Sequence, residues 1–148
     1  MLTRRTFLQS CAAALAGGAA RAAEGDAVVL VTAEPDPDFT LATIELRRLF
    51  LGFTVIHDGH ALRPVRNRSD DRLDQVFYQH VVAMSPEAYE RRLLSLSLQQ
   101  GRLPPLVVES HEDLLETLAT IPHAISFAWR RDIAGITRLR EVRVLWEA

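Results

Sequence analysis

Lysine is absent from this 148-residue chain, and all 17 basic residues are arginine. That bias is compositional and carries no function. Cysteine is nearly absent as well. The only one is Cys11, so the chain beyond the first 22 residues has no disulfide and no thiol chemistry. No apolar run approaches the roughly 20 residues that a helix needs to span a bilayer. No basic tail or stripe is present, which argues against nucleic acid as a partner. Metal-site spacing is missing too. His57-Asp58-x-His60 is a close pair, but His80, His111 and His123 supply no third ligand by spacing. Ser95 and Ser97 lack the Gly-x-Ser-x-Gly setting of a hydrolase nucleophile. Asp70, Asp71 and Asp74 read as capping and solvated residues rather than an acid/base pair. These absences speak against an enzyme, and no cofactor or metal is implied.

What is present begins with an export signal. Thr3-Arg4-Arg5-Thr6-Phe7-Leu8 stands before a short Ala/Gly-rich run from Cys11 to Ala20, and Ala20-Arg21-Ala22 fits a small-x-small cleavage site. The segment resembles a twin-arginine signal peptide. Its weak hydrophobicity and Arg21 favour that route over the general secretory one. Cleavage is expected after Ala22, giving a periplasmic or secreted chain. Residues 23–148 then form one domain of ordinary size, 126 residues long. Arg4, Arg5 and Arg21 leave with the signal. Fourteen basic residues then face 19 acidic ones, for a formal charge of −5.

Strands and helices alternate through this domain, which predicts an α/β fold with a mixed sheet of four to five strands flanked by helices. Ala27 to Ala33 is a continuous apolar run rich in β-branched residues and reads as a buried strand. Thr40 is expected to cap a helix reaching Leu51, with Gly52 as its stop. His57 to His60 forms a turn, and Ala61 to Arg66 a short strand. Pro64 places that strand at an edge, or itself at a strand end. Ser69 is the expected N-cap of the next helix, with Asp70 and Asp71 in its first turn. Leu73, Val76, Phe77, His80, Val81 and Met84 recur on one helical face, which makes His80 a core histidine. Ser85 and Ser110 each cap a further helix, Leu106 to Val108 is a short extended piece, and Ala124 to Trp129 and Val142 to Trp146 are strands.

Six stretches together resemble the phosphate-type substrate-binding proteins of ABC transporters. Ile44 to Gly52 is similar to a segment ending Ile-Phe-Leu-Gly in that family, and His57-Asp58-Gly59 sits where it has Trp-x-Asp-Gly or Pro-Asp-Gly. Pro64 to Arg68 resembles the strand before the family's anion-binding turn. Phe77-Tyr78 with Met84-Ser85-Pro86 resembles the helix and helix start that follow in small, single-lobe members. Gly101 to Pro105 is similar to a Gly-x-Gly-x-Pro-Pro linker, and Ile121 to Phe127 to Thr-Pro-Gly-Ala-Ile-Gly-Tyr. The resemblance implies a single lobe of a type 2 periplasmic-binding-protein fold, acting as a non-enzymatic binding component.

In full-length members the turn reads roughly Arg-x-Asp-Gly-Ser-Gly-Thr. Here it reads Arg66-Asn67-Arg68-Ser69-Asp70-Asp71-Arg72. Either Arg66 or Arg68 is a candidate for the arginine role, and Ser69 for the hydroxyl role. The glycines and threonine are gone, and two carboxylates stand where an anion would dock. The helix end offers about +0.5 charge, which Asp70 and Asp71 more than offset. A one-walled cleft also buries less of a ligand than a closed pocket does. The expected function is weak binding of phosphate or another small anion, as an accessory of transport or sensing. The alternative is an interaction module that has lost its ligand. The lobe face left uncovered would then meet a partner protein or a second copy.

Overall fold

Six consecutive residues, Ala27–Thr32, form strand β1, and every one is buried. An apolar run of this kind needs cover on both faces and a neighbour on each side. It has both. The computed structural model describes residues 27–35 and 40–148, so the export segment and the cut after Ala22 lie outside the described residues. Helix α1 (Thr43–Phe50) follows β1, then a two-stranded hairpin of β2 (Ile56–His57) and β3 (His60–Ala61). Strand β4 (Arg63–Asn67) leads into α2 (Asp71–Val76), which continues as a π-helical segment over Phe77–Val82. Helix α3 (Pro86–Gln100), strand β5 (Leu106–Val108), helix α4 (His111–Thr120) and strand β6 (Ala124–Trp129) come next. A one-turn helix α5 (Arg130–Ile133) precedes the last strand, β7 (Arg140–Glu147).

The five-stranded sheet has the order β5-β4-β6-β1-β7. Strand β4 runs parallel to both β5 and β6, while β1 is antiparallel to β6 and β7. Side chains alternate across the sheet, so two cores form. Val28, Leu30, Ile125, Phe127 and Trp129 pack with α1, α2, its π-helical extension and α3. Val29, Val31, Val65, Val108 and Ala128 pack with Leu114 and Leu118 of α4 on the other face.

The architecture matches the sequence expectation, with local corrections. Thr40 does not cap α1. Ala42 is the N-cap, and its N–H donates to Glu45 Oε2 at 2.9 Å, so an acid reaching back closes the helix end. Pro64 lies near the start of an interior strand. Pairing with β5 begins only at Val65, so the N–H that proline lacks falls ahead of that ladder. His80 is exposed, not core. The wide π turn rotates the helix face, so Val82 joins Phe77 and Val81 in the core and His80 swings outward. The expected polar connection after Trp129 contains α5, whose Ile133 is buried.

Candidate functional site

The β4–α2 turn is built from its strand outward. Asn67, the last residue of β4, is buried, and its side chain joins two parts of the chain. Its Nδ2 donates to the Phe127 carbonyl at 2.9 Å, and its Oδ1 accepts the Ser69 N–H at 3.0 Å. The turn is thereby fixed to β6. Sequence reasoning missed Asn67, although an asparagine two residues ahead of a backbone donor is a recognisable turn signal.

Asp70, not Ser69, caps the helix. Its backbone is extended, and Oδ1 accepts the N–H groups of Arg72 at 2.7 Å and Leu73 at 3.4 Å. Its Oδ2 accepts from the indole Nε1 of Trp129 at 3.3 Å. Cap choice between two adjacent candidates is therefore set by one local and one long-range partner: Asn67, two residues back, holds Ser69, and Trp129, across the sheet, holds Asp70. The Asp70 carboxylate occupies the two backbone donors that a docked anion would use. The Trp129 ring carries cations as well, with the Arg72 and Arg131 guanidiniums 5.4 and 4.7 Å from it.

The three candidate residues do not converge. Arg66 is 4% exposed and points away from the turn, toward α2 and α3. It donates to Asp74 Oδ1 at 2.8 Å, to the Tyr78 hydroxyl, and to Glu90 Oε1 at 3.5 Å. Its guanidinium also lies over the rings of Phe77, Tyr78 and Tyr89 at 4.8 to 5.4 Å. Burial works against this charge, yet Asp74 and Tyr78 more than compensate and hold the arginine above its ordinary pKa. Arg68 is at the surface, with Asp74 and Glu109 carboxylates at 3.9 and 4.0 Å. Ser69 is exposed beside it. Arg68, Ser69, Arg72 and Arg131 thus belong to the rim of the turn, and Arg66 to the packing behind it.

Two of the five histidines come together elsewhere. His60 stacks on His123, with ring centroids 4.2 Å apart and an interplanar angle of 12°. The His123 N–H donates to Glu34 Oε1 at 2.8 Å, and its backbone is left-handed at φ 59°. Among the described residues no three His, Cys, Asp or Glu side chains gather as a metal-binding set. A cleft of 620 Å³ lies near the start of β4, between Phe53, Leu62 and the Leu103–Leu106 connector. Among the described residues Arg63 is the one ionisable group in its otherwise largely apolar lining.

The five-stranded mixed sheet and its flanking helices match the fold of a single periplasmic-binding-protein-like lobe. Among solved structures, the chain is similar to the crystal structure of an ABC-type phosphate transport receptor from Vibrio cholerae, with a TM-score of 0.55 and 13% identity. The match covers 80% of this chain and 46% of the receptor, so the chain spans about half the receptor's length. At that identity the likeness is one of fold. No family model and no curated protein matches the chain.

Proposed function

We propose that this protein is an exported, non-enzymatic binding component, a single substrate-binding-type lobe that holds a small phosphate-like anion weakly in the periplasm. Its role is accessory to transport or sensing. The observation that carries the reading is the β4–α2 turn. The start of α2 presents backbone donors at the end of a parallel strand, and arginines surround it. Arg68 and Ser69 are the side chains that reach an anion there, while Arg66 braces the strand from behind. Weakness follows from Asp70, whose carboxylate already takes the Arg72 and Leu73 N–H groups and must be displaced. The fold shared with a phosphate transport receptor supports the binding role, and Thr3-Arg4-Arg5-Thr6-Phe7-Leu8 supports export.

Isothermal calorimetry with inorganic phosphate tests this. The unaltered protein is expected to bind with a Kd of about 1 mM, or roughly −4 kcal/mol. The Asp70→Gly/Asp71→Ser variant, with donors released and two charges removed, should bind at least about tenfold tighter. No heat from either protein would end the anion reading.

A further inference from the structure

Most large apolar side chains of the described residues are inside, but three exposed ones cluster around β5: Leu103 at 83%, Leu106 at 49% and Val107 at 44%. Among the described residues, strand β5 ends the sheet and pairs with β4 alone. The Arg68 N–H donates to the Val108 carbonyl at 2.8 Å, which directs Val108 toward β4. Successive residues of a strand turn their N–H and C=O groups to opposite sides. Val107 therefore presents both its donor and its acceptor to the open edge. Edges of this kind are usually blunted by charge, proline or a bulge. Pro104 and Pro105 guard the approach to β5, but Val107 lies beyond them.

A groove of 490 Å³ runs along this edge, between β5 and α4. Its floor is Leu106, Val107 and Val108, and its wall carries Glu109, Asp113 and Glu116 with no basic residue in the lining. Arg68 approaches Glu109 only to 4.0 Å, and the Glu109 side chain is 74% exposed. The groove thus combines main-chain hydrogen-bonding groups, an apolar floor and a one-sided acidic wall.

We propose that the open edge of β5 accepts an extended segment of a partner protein as a sixth strand, with basic and apolar residues alternating along it. Alternation places one set of side chains on the α4 side, where the basic ones meet Asp113 and Glu116. A second copy of this chain fits poorly. Antiparallel pairing of two β5 edges about a two-fold axis puts both α4 helices on one face, with their carboxylates converging. The strand-addition site adjoins the anion site where Arg68 meets Val108 and Glu109, but neither requires the other's ligand.

A fluorescein-labelled hexapeptide of alternating arginine and valine is the probe, read by anisotropy at low salt. It is expected to bind the protein at least tenfold more tightly than a glutamate/valine peptide of equal length. It should also bind at least tenfold more tightly than the same arginine/valine peptide N-methylated at every residue. Val107→Pro removes the outward N–H at a place where an edge strand tolerates proline, and should weaken binding at least tenfold. Asp113→Asn/Glu116→Gln should weaken it and flatten its salt dependence. The N-methylated comparison needs no variant, so it decides the matter even if Val107→Pro misfolds. Equal binding of the acidic or N-methylated peptide, or no anisotropy change with the arginine peptide, overturns the proposal. So does a protein dimer that Val107→Pro dissociates, because a second copy would then fill the edge.

Discussion

Arg66 shows what a single buried charge requires. Strand alternation turns Val65 toward α4 and Arg66 toward α2 and α3. There the guanidinium has left water, and only Asp74, Tyr78, Glu90 and three rings replace the lost solvation. Removing one member of a buried pair leaves the others uncompensated. Arg66→Ala should therefore lower stability by about 3 kcal/mol, read from the urea midpoint at constant slope. Arg68→Ala, at the surface with distant partners, should change it by less than about 0.5 kcal/mol. Equal effects would contradict the division between a bracing and a rim arginine. Tyr89 adds a pH dependence. Its hydroxyl donates to the Phe50 carbonyl at 2.6 Å, and burial pushes its pKa well above the ordinary 10.0. The folded state therefore keeps the proton while the unfolded chain loses it. The resulting stability is intact below pH 10.0 and declines as the pH rises toward the folded-state pKa. Tyr89→Phe should cost stability at neutral pH through the lost hydrogen bond, yet show a shallower alkaline decline. Urea titrations on both sides of the tyrosine's ordinary pKa provide the check.

At the scale of elements, the π-helical continuation of α2 decides which side chains face the core. It ends at Ala83, which is left-handed at φ 53° and ψ 46°. A Cβ there is unfavourable, so Ala83→Gly should raise stability by about 1 kcal/mol in thermal or urea unfolding. Gly52 is the opposite case. Its φ is 88°, and an added Cβ would lie 2.8 Å from the Leu103 carbonyl oxygen, so Gly52→Ala should cost about 2 kcal/mol. These elements also show what was legible beforehand. Ser85 and Ser110 cap their helices as the sequence suggests, each accepting an N–H three residues on. Those caps rest on local chemistry. Ser69 and His80 depart from the expectation because cap propensity and a 3.6-residue period do not by themselves decide their placement. The Asn67 side chain captures the Ser69 N–H, Trp129 binds Asp70, and a π turn shifts the face that holds His80. The arginine-rich turn itself stood out in the sequence. The direction of Arg66 did not, because it depends on which face of β4 the helices cover.

At the scale of the whole molecule, β1 ties the two cores together. Val28 and Leu30 enter the core beneath α1–α3, while Ala27, Val29 and Val31 enter the core beneath α4. Its buried apolar character was plain in the sequence, but its antiparallel place between β6 and β7 was not. That placement pairs residues about 100 positions apart, as in Val28 with Trp129 and Val28 with Trp146. Neither core can lose β1 without exposing the other, so the described lobe should unfold as one cooperative unit. Leu114 makes the test sharp. It is fully buried on the α4 face, whereas Trp129 reports from the opposite core and packs against Trp146 at a centroid distance of 6.0 Å. Leu114→Ala should remove about 3 kcal/mol through lost burial and an unfilled cavity. If β1 couples the faces, tryptophan fluorescence and far-ultraviolet circular dichroism must shift to the same lower urea midpoint. A fluorescence midpoint left in place while the dichroism midpoint falls would mean that the α4 side melts alone. The groove beside β5, bounded by α4, would then be a locally unfolding surface rather than a preformed edge.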